Sequence, residues 1–258
     1  MKRISIIALI TCLFSGSLLA QNAHFTTSGT IEFEKKVNMY AFLKKRMTPD
    51  NESFLAPALE QYKKTQPQFK TLKSTLTFTN NKTLFTPEEP PETNNNNFFG
   101  NEPIAQQNNT IFTDLNTTIS TANKKVFEQL FLVKDTVRRI NWKITDETRE
   151  IAGYKCRRAN AVVMDSIYVV AFYSEEIPVS GGPETFTGLP GMILGVALPH
   201  ENVTWFATKV TDLPVAETSL KVPNKGKAVN AAGLATTLKS ALKDWGEYGQ
   251  IYFKIFLL

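Results

Sequence analysis

Residues 30–37 read TIEFEKKV and residues 72–79 read LKSTLTFT. In the first, Ile31, Phe33 and Val37 share one face of an extended chain while Thr30, Glu32, Glu34 and Lys36 take the other. In the second, Leu72, Leu76 and Phe78 alternate with Lys73, Thr75, Thr77 and Thr79. A period of two puts successive side chains on opposite faces, so both stretches predict half-buried β-strands. The alternation recurs in RINWKI (139–144), through Ile140, Trp142 and Ile144, and in VTWFATKV (203–210). VFEQLFLV (126–133) and SIYVVAFY (166–173) are apolar on both faces and predict central, well-covered strands. The predicted fold is therefore mainly β: a large antiparallel curled sheet or open half-barrel with one or two packed α-helices.

The helical spacing is found elsewhere. Ala231, Leu234, Ala235, Leu238, Ala241, Leu242 and Trp245 recur at i, i+3, i+4 and i+7, with Asn230 as a plausible N-cap and Gly246 where a C′ glycine belongs. A second helix is predicted near residues 53–64, with Pro57 required in its first turn. The apolar end QIYFKIFLL (250–258) is too short to span a bilayer as a helix and is expected to add a last strand. Residues 86–109, rich in Pro, Asn and Glu and without a period, predict a long surface loop or disordered insertion.

At 258 residues and 42% hydrophobic, the chain can bury one large core. Its first 20 residues place Lys2 and Arg3 before an apolar run from Ile4 to about Phe14, then small residues ending at Ala20. That layout predicts a signal peptide over 1–20, cleaved near Ala20 and Gln21, and a single domain over 21–258. The run is interrupted by Ser5, Thr11, Ser15 and Ser17, and falls short of the ~20 apolar residues of a transmembrane anchor. Cys12 lies inside the apolar run, which disfavours a lipoprotein cleavage site there. Without the leader one cysteine remains, Cys156, and no internal disulfide can form.

The whole chain carries 29 Lys+Arg and 24 Asp+Glu, and loss of Lys2 and Arg3 leaves 27 against 24. A net of +3, with short and scattered basic clusters, gives no footprint for nucleic acid.

Residues 188–194 read GLPGMIL. Pro190 suits position i+1 of a type II turn and Gly191 the φ > 0 position i+2, with Gly188 allowing a close backbone approach. Gly188, Leu189, Pro190, Gly191, Met192 and Ile193 hold nothing that ionises, coordinates metal or attacks, so the heptad is expected to act as a structural corner or a partner-docking surface. With its upstream run, SEEIPVSGGPETFTGLPGMIL resembles the signature of the GLPGLI family of exported Bacteroidetes proteins, with Met192 where the family usually has a second Leu. LTFTNNKTLF (76–85), FLVKD (131–135) and WKITDETREIAGYKCRRA (142–159) resemble the family's other blocks in the expected order, so the resemblance runs from about residue 27 to 212. The family has no assigned activity. A related segment stands at the N-terminus of a peptide N-glycosidase beside a separate catalytic domain, so the resemblance implies a non-catalytic module. Relatives tend to carry aromatics after the Val-Ser, where Gly181 and Glu184 stand here.

Candidates for chemistry are few. His24 and His200 have no Cys or carboxylate at metal-ligand spacing, and neither metal nor cofactor is predicted. Ser180 with His200 would need a nucleophile elbow that the sequence lacks. Glu175 and Glu176, adjacent on a regular strand, would point to opposite faces. Cys156, between Tyr154-Lys155 and Arg157-Arg158, is expected to be a buried small hydrophobe rather than an activated thiol. Asp135-Thr136-Val137 and Asp165-Ser166-Ile167 resemble the O-glycosylation acceptor of Bacteroidetes exported proteins, at Thr136 and Ser166. The expected function is that of an exported, non-catalytic module in the periplasm or at the outer membrane, with an envelope protein as partner. The alternatives are a carrier of a lipid or other hydrophobic ligand, and an unrecognised hydrolase. An apolar cavity on the concave face would favour the carrier, and a cleft with a buried carboxylate or a Ser-His contact the hydrolase.

Overall fold

A computed structural model describes residues 25–89, 99–100, 102–106 and 109–258. The expected leader lies outside the described residues. Strand β1 (Gly29–Asn38) buries Ile31, Phe33, Lys35 and Val37 and turns Glu32, Glu34 and Lys36 outward, as its alternation dictates. It pairs along its whole length with β2 (Phe69–Thr79), which buries Leu72, Ser74, Leu76 and Phe78. Ten further strands complete the sheet: β3 (Lys82–Pro87), β4 (Thr110–Asp114), β5 (Ile119–Val126), β6 (Gln129–Thr136), β7 (Lys143–Ile151), β8 (Tyr154–Val163), β9 (Ile167–Ser174), β10 (Met192–Leu198), β11 (Val203–Thr211) and β12 (Lys227–Val229). Their order is β12-β6-β5-β4-β3-β2-β1-β11-β10-β9-β8-β7, open at both ends and not closed into a barrel. All neighbours are antiparallel except β12, which runs parallel to β6 and makes the sheet mixed.

Local chemistry sets the tight turns. Asn80 and Asn81 between β2 and β3, Ala152 and Gly153 between β7 and β8, and Met164 and Asp165 between β8 and β9 all have positive φ. Such pairs at both central positions build the type I′ turns whose twist matches that of a hairpin. The edge hairpin β7–β8 is held partly through Arg149, whose guanidinium stacks 5.0 Å from the rings of both Phe172 on β9 and Phe206 on β11.

Four helices are described where one or two were expected. Helix α1 (Met39–Lys45) follows β1 at once, because the Asn38 side chain accepts the Ala41 N–H and caps it. Helix α2 (Glu52–Thr65) buries Leu55, Leu59 and Tyr62 and carries Pro57 inside the helix rather than in its first turn. Packing of that apolar stripe outweighs the backbone bond that proline cannot donate. Helix α3 (Ala231–Ala241) has the expected cap, with Asn230 accepting from the Gly233 N–H, but it stops before Trp245. Gly246 does not close α3; it begins helix α4 (Gly246–Leu257).

Several strand expectations fail for identifiable reasons. The C-terminal run is α4 and not a strand, since an almost uniformly apolar segment carries no period of two to hold it in a sheet. Tyr252 and Phe256, one turn apart, supply its buried face. VFEQLFLV is not one strand but the end of β5, a two-residue turn with Phe127 at φ 51°, and the start of β6. In RINWKI only Lys143 and Ile144 belong to a strand, while Trp142 turns away to donate its indole N–H to the Thr187 carbonyl at 2.9 Å. The region 86–109 is not loop throughout: Phe99, Glu102, Ile104 and Ala105 are buried, and Pro103–Ala105 form a 3-10 turn that packs against α4. Among the described residues no helix is long and apolar enough to cross a membrane.

Candidate ligand cavity

The seventeen-residue connection from β9 to β10, residues 175–191, does not loop into solvent. Ile177, Val179, Phe186 and Leu189 are all buried, and the connection is held by its own backbone. Met192 N–H donates to Ile177 O and Ile193 N–H to Gly181 O, both at 2.9 Å, while Ser180 Oγ–H donates to Leu189 O at 2.6 Å. These bonds replace the type II turn expected at Leu189–Met192. Gly191 is not in the left-handed region; Gly188 is, at φ +94°. Gly191 is needed for a different reason: a Cβ there would overlap the Ser174 carbonyl oxygen and lie 2.7 Å from the carbonyl carbon. Of the heptad's named residues, Leu189, Gly191, Met192 and Ile193 are buried, and only Gly188 and Pro190 are exposed.

The consequence of this corner lies further back along the connection. It carries Glu184, at φ 53°, with its carboxylate buried and accepting from Asn109 Nδ2 at 2.9 Å. A non-glycine residue in that conformation is strained, and such strain gathers at sites that position a group. Glu184 lines a cavity of about 480 Å3. One wall is sheet, with Lys35 of β1, Lys124 of β5, Leu198 of β10 and Val203 and Trp205 of β11. The opposite wall is α4 and the 3-10 turn, through Ile104, Ile255 and Phe256.

Strands β1 and β5 stand four places apart in the sheet, ~19 Å if it were flat at ~4.8 Å per strand. Yet the charges of Lys35 and Lys124 both feel Glu184, so the curl of the sheet brings them around one cavity. Burial lowers each ammonium pKa to about 8, and Glu184 only partly opposes the effect. Lys35 faces Trp205 directly across the β1–β11 ladder and sits 5.1 Å from its ring centroid. Its Nζ donates to Gln106 O at 3.4 Å. Lys124 Nζ donates to Phe256 O at 3.2 Å, Arg138 to Leu257 O at 2.7 Å and Thr185 to Leu258 O at 2.7 Å. Cations here meet the carbonyl end of the helix dipole and fasten α4 to the sheet.

The α4 wall is anchored a second time. Glu102 pairs with Arg46, beyond the end of α1, and accepts the Tyr252 phenol at 2.9 Å in a buried cluster. Burial, with Glu102 adding to it, raises the Tyr252 phenol well above its ordinary pKa.

The remaining sequence candidates are dispersed. Ser180 spends its hydroxyl hydrogen on Leu189, whereas His200 is exposed in the 3-10 turn Pro199–Glu201, 6.3 Å between ring centroids from Tyr168. Glu175 and Glu176 lie exposed in the turn after β9. Cys156 is fully buried, and burial pushes its thiol up to about 12, which removes thiolate character at neutral pH. Thr136 and Ser166 are exposed at a strand end and in a hairpin turn respectively. His24 lies outside the described residues. Among those described, no group of three or more His, Cys, Asp or Glu side chains could hold a metal ion. Sequence reading missed Lys35 and Lys124. Lys35 left a trace, since it occupies the apolar face of TIEFEKKV in phase with Ile31, Phe33 and Val37.

Residues 161–195 match a family described as a protein of unknown function, Porph_ging. No curated protein matches. Among solved structures, one of PNGF-II in space group P21 shares 15% identity at a TM-score of 0.49, over 81% of this chain and 32% of that one. Another, of PNGF-II in space group C2, shares 13% at a TM-score of 0.48, over 88% of this chain and 33% of that one. An uncharacterized conserved protein from Thermus thermophilus shares 5% at 0.39, over 80% and 92%. The chain thus spans about a third of the length of the PNGF-II structures it matches.

Proposed function

We propose that this chain is an exported, non-catalytic module of the GLPGLI kind, acting in the periplasm or at the outer membrane, whose cavity carries a hydrophobic ligand. The observation that carries the reading is the cavity of about 480 Å3 set between the curled sheet and α4, which falls within the ~300–1,000 Å3 typical of small-molecule sites. Phe186, Leu198, Val203 and Phe256 give it apolar walls, and the buried Arg46–Glu102–Tyr252 cluster keeps the helical wall in place. The buried carboxylate of Glu184 is the feature expected of a hydrolase. Among the described residues that line the cavity, however, no Ser, Thr, Cys, His or Tyr stands beside it to act as nucleophile or proton relay. Glu184 is instead held by an amide and shares the cavity with the ammonium groups of Lys35 and Lys124, an arrangement suited to orienting a bound polar group.

Native mass spectrometry of protein purified from its own envelope, together with Nile red titration of the delipidated chain, tests the reading. Co-purified lipid, or saturable dye binding displaced by that lipid, is the expected result. A sample that binds no apolar probe and releases no lipid on denaturation overturns it.

A further inference from the structure

We propose that the cavity takes a monoanionic, carboxylate-headed acyl chain, its head held between Lys35, Lys124 and the indole N–H of Trp205; this rests on the cavity being a binding site. Lys35 and Lys124 are each 6% exposed, and among the described residues neither forms an ion pair. Each ammonium has three N–H donors, and each makes one bond here, to a backbone carbonyl at 3.4 or 3.2 Å. A buried charge is costly unless it is paired and hydrogen-bonded, and among the described residues each ammonium leaves N–H donors without an acceptor, the Trp205 ring being the one further contact of Lys35.

Trp205 supplies an independent observation. It is 4% exposed, lines the same cavity, and among the described residues its Nε1–H has no acceptor. Buried indole N–H groups ordinarily find a partner, and the Glu184 carboxylate, which accepts from Asn109, is not within hydrogen-bond reach of this one. Lys35 and Trp205 face each other across the ladder, so one acceptor can serve both.

Charge selects the head group. Two buried ammonium groups stand against one buried side-chain carboxylate, and with Lys125, Lys254, Glu128 and Glu201 at the less buried part of the lining the count is four Lys to three Glu, an excess of one positive charge either way. A carboxylate restores neutrality with a single negative charge and offers about four lone-pair sites to the three donor groups. A phosphate monoester, at about −1.5 to −2 near neutral pH, overcompensates. The apolar remainder of the cavity, along Ile104, Phe186, Leu198, Val203 and Phe256, accepts a hydrocarbon tail and gives free acetate little reason to stay.

Calorimetric titration of the delipidated full chain at neutral pH with decanoate, methyl decanoate and decyl phosphate separates the outcomes. Decanoate is expected to bind about tenfold or more tightly than its ester, which has the same tail but no charge. Lys35→Met and Lys124→Met should each weaken decanoate about tenfold while leaving the ester unchanged, and Trp205→Phe should act in the same direction more weakly. Methionine replaces a desolvated cation with an apolar side chain of similar length, so folding is expected to survive, and the acid-to-ester ratio on the unaltered chain needs no variant. Equal affinity for acid and ester overturns this proposal and leaves the carrier reading intact. Preference for decyl phosphate overturns the carboxylate assignment, and binding of neither acid nor ester removes both readings.

Discussion

Gly191→Ala is expected to be among the most damaging single-methyl additions in this protein, for a steric and not a conformational reason. The added Cβ would overlap the Ser174 carbonyl oxygen, lie 2.7 Å from the carbonyl carbon and 3.0 Å from the Glu175 Cα. All three are backbone atoms at the end of β9, where Ser174 pairs with Met192, so no side-chain rotation relieves the overlap. Either β9 and β10 separate locally or the bonds from Met192 to Ile177 and from Ile193 to Gly181 break. Overpacking of a rigid site costs ~1–3 kcal/mol and sometimes more, and a clash with backbone that no rotamer can relieve belongs at or above ~3 kcal/mol. For a domain of this size that is a fall in melting temperature of roughly 6–12 °C.

Gly153→Ala is the matched control. Gly153 sits in the β7–β8 turn at φ +85° with nothing within 4 Å of a built Cβ, so alanine there meets left-handed strain of ~1–2 kcal/mol and no overlap. Gly188→Ala, at φ +94° with Trp142 Nε1 3.7 Å away, should behave like Gly153→Ala. Urea denaturation followed by tryptophan fluorescence, with calorimetric melting alongside, gives the order. A Gly191→Ala variant no less stable than Gly153→Ala would refute close approach as the reason for the second glycine of the heptad.

Because burial depresses the pKa of Lys35 and Lys124 to about 8 in the fold, the unfolded chain binds more protons above that pH, and stability should rise from pH 7.5 to 9 by up to ~1.4 kcal/mol per pH unit for each lysine. Above pH 9 the raised Cys156 thiol acts with the opposite sign, since it stays protonated in the fold while the unfolded thiol ionises. The two lysines outweigh the one thiol until the unfolded lysines deprotonate near their ordinary pKa of about 10.5, so urea midpoints should keep rising above pH 9 with a shallower slope and turn down only beyond about pH 10, and a flat profile between pH 7.5 and 9 in the ligand-free chain would contradict the burial of uncompensated ammonium groups. Cys156 itself should react with a disulfide reagent only as fast as the protein opens; reaction at the rate of a free peptide thiol under native conditions would contradict its burial. Leu238→Ala, at a fully packed position of α3 outside the cavity lining, should cost ~2–5 kcal/mol without loss of ligand, as read by denaturation and dye titration in parallel.

The sheet was readable in the sequence because its signal is local and redundant. TIEFEKKV, LKSTLTFT and VTWFATKV each state their own period, and strands whose faces differ in polarity cannot slip register without exposing that face. The failures fall where both faces are apolar or where a neighbour decides. VFEQLFLV reads as a single strand because a turn that forces Phe127 to positive φ uses none of the Gly, Asn or Asp residues that mark turns. QIYFKIFLL is almost uniformly apolar, with only Gln250 and Lys254 to break the run, so the cations waiting at its carbonyl end and the partner surface of α3 and the 3-10 turn determine that it is a helix.

The cavity was not readable, and the reason is geometric. Lys35, Lys124 and Glu184 are separated by 60 residues or more in sequence, and their meeting depends on how far a twelve-stranded sheet curls, a quantity no strand encodes alone. What the sequence did mark was the violation: a lysine in phase with the apolar residues of a strand, and a glutamate in the otherwise uncharged run PVSGGPETFTG (178–188). Each reads alone as tolerance of a long side chain reaching solvent. Together, around one cavity, they are two buried charges and one that cannot neutralise both. The heptad that first attracts attention then has a physical connection to the site without touching a ligand: by bringing the chain back tightly against β9 at Gly191, it closes the segment that holds Glu184 in its strained conformation on the cavity wall.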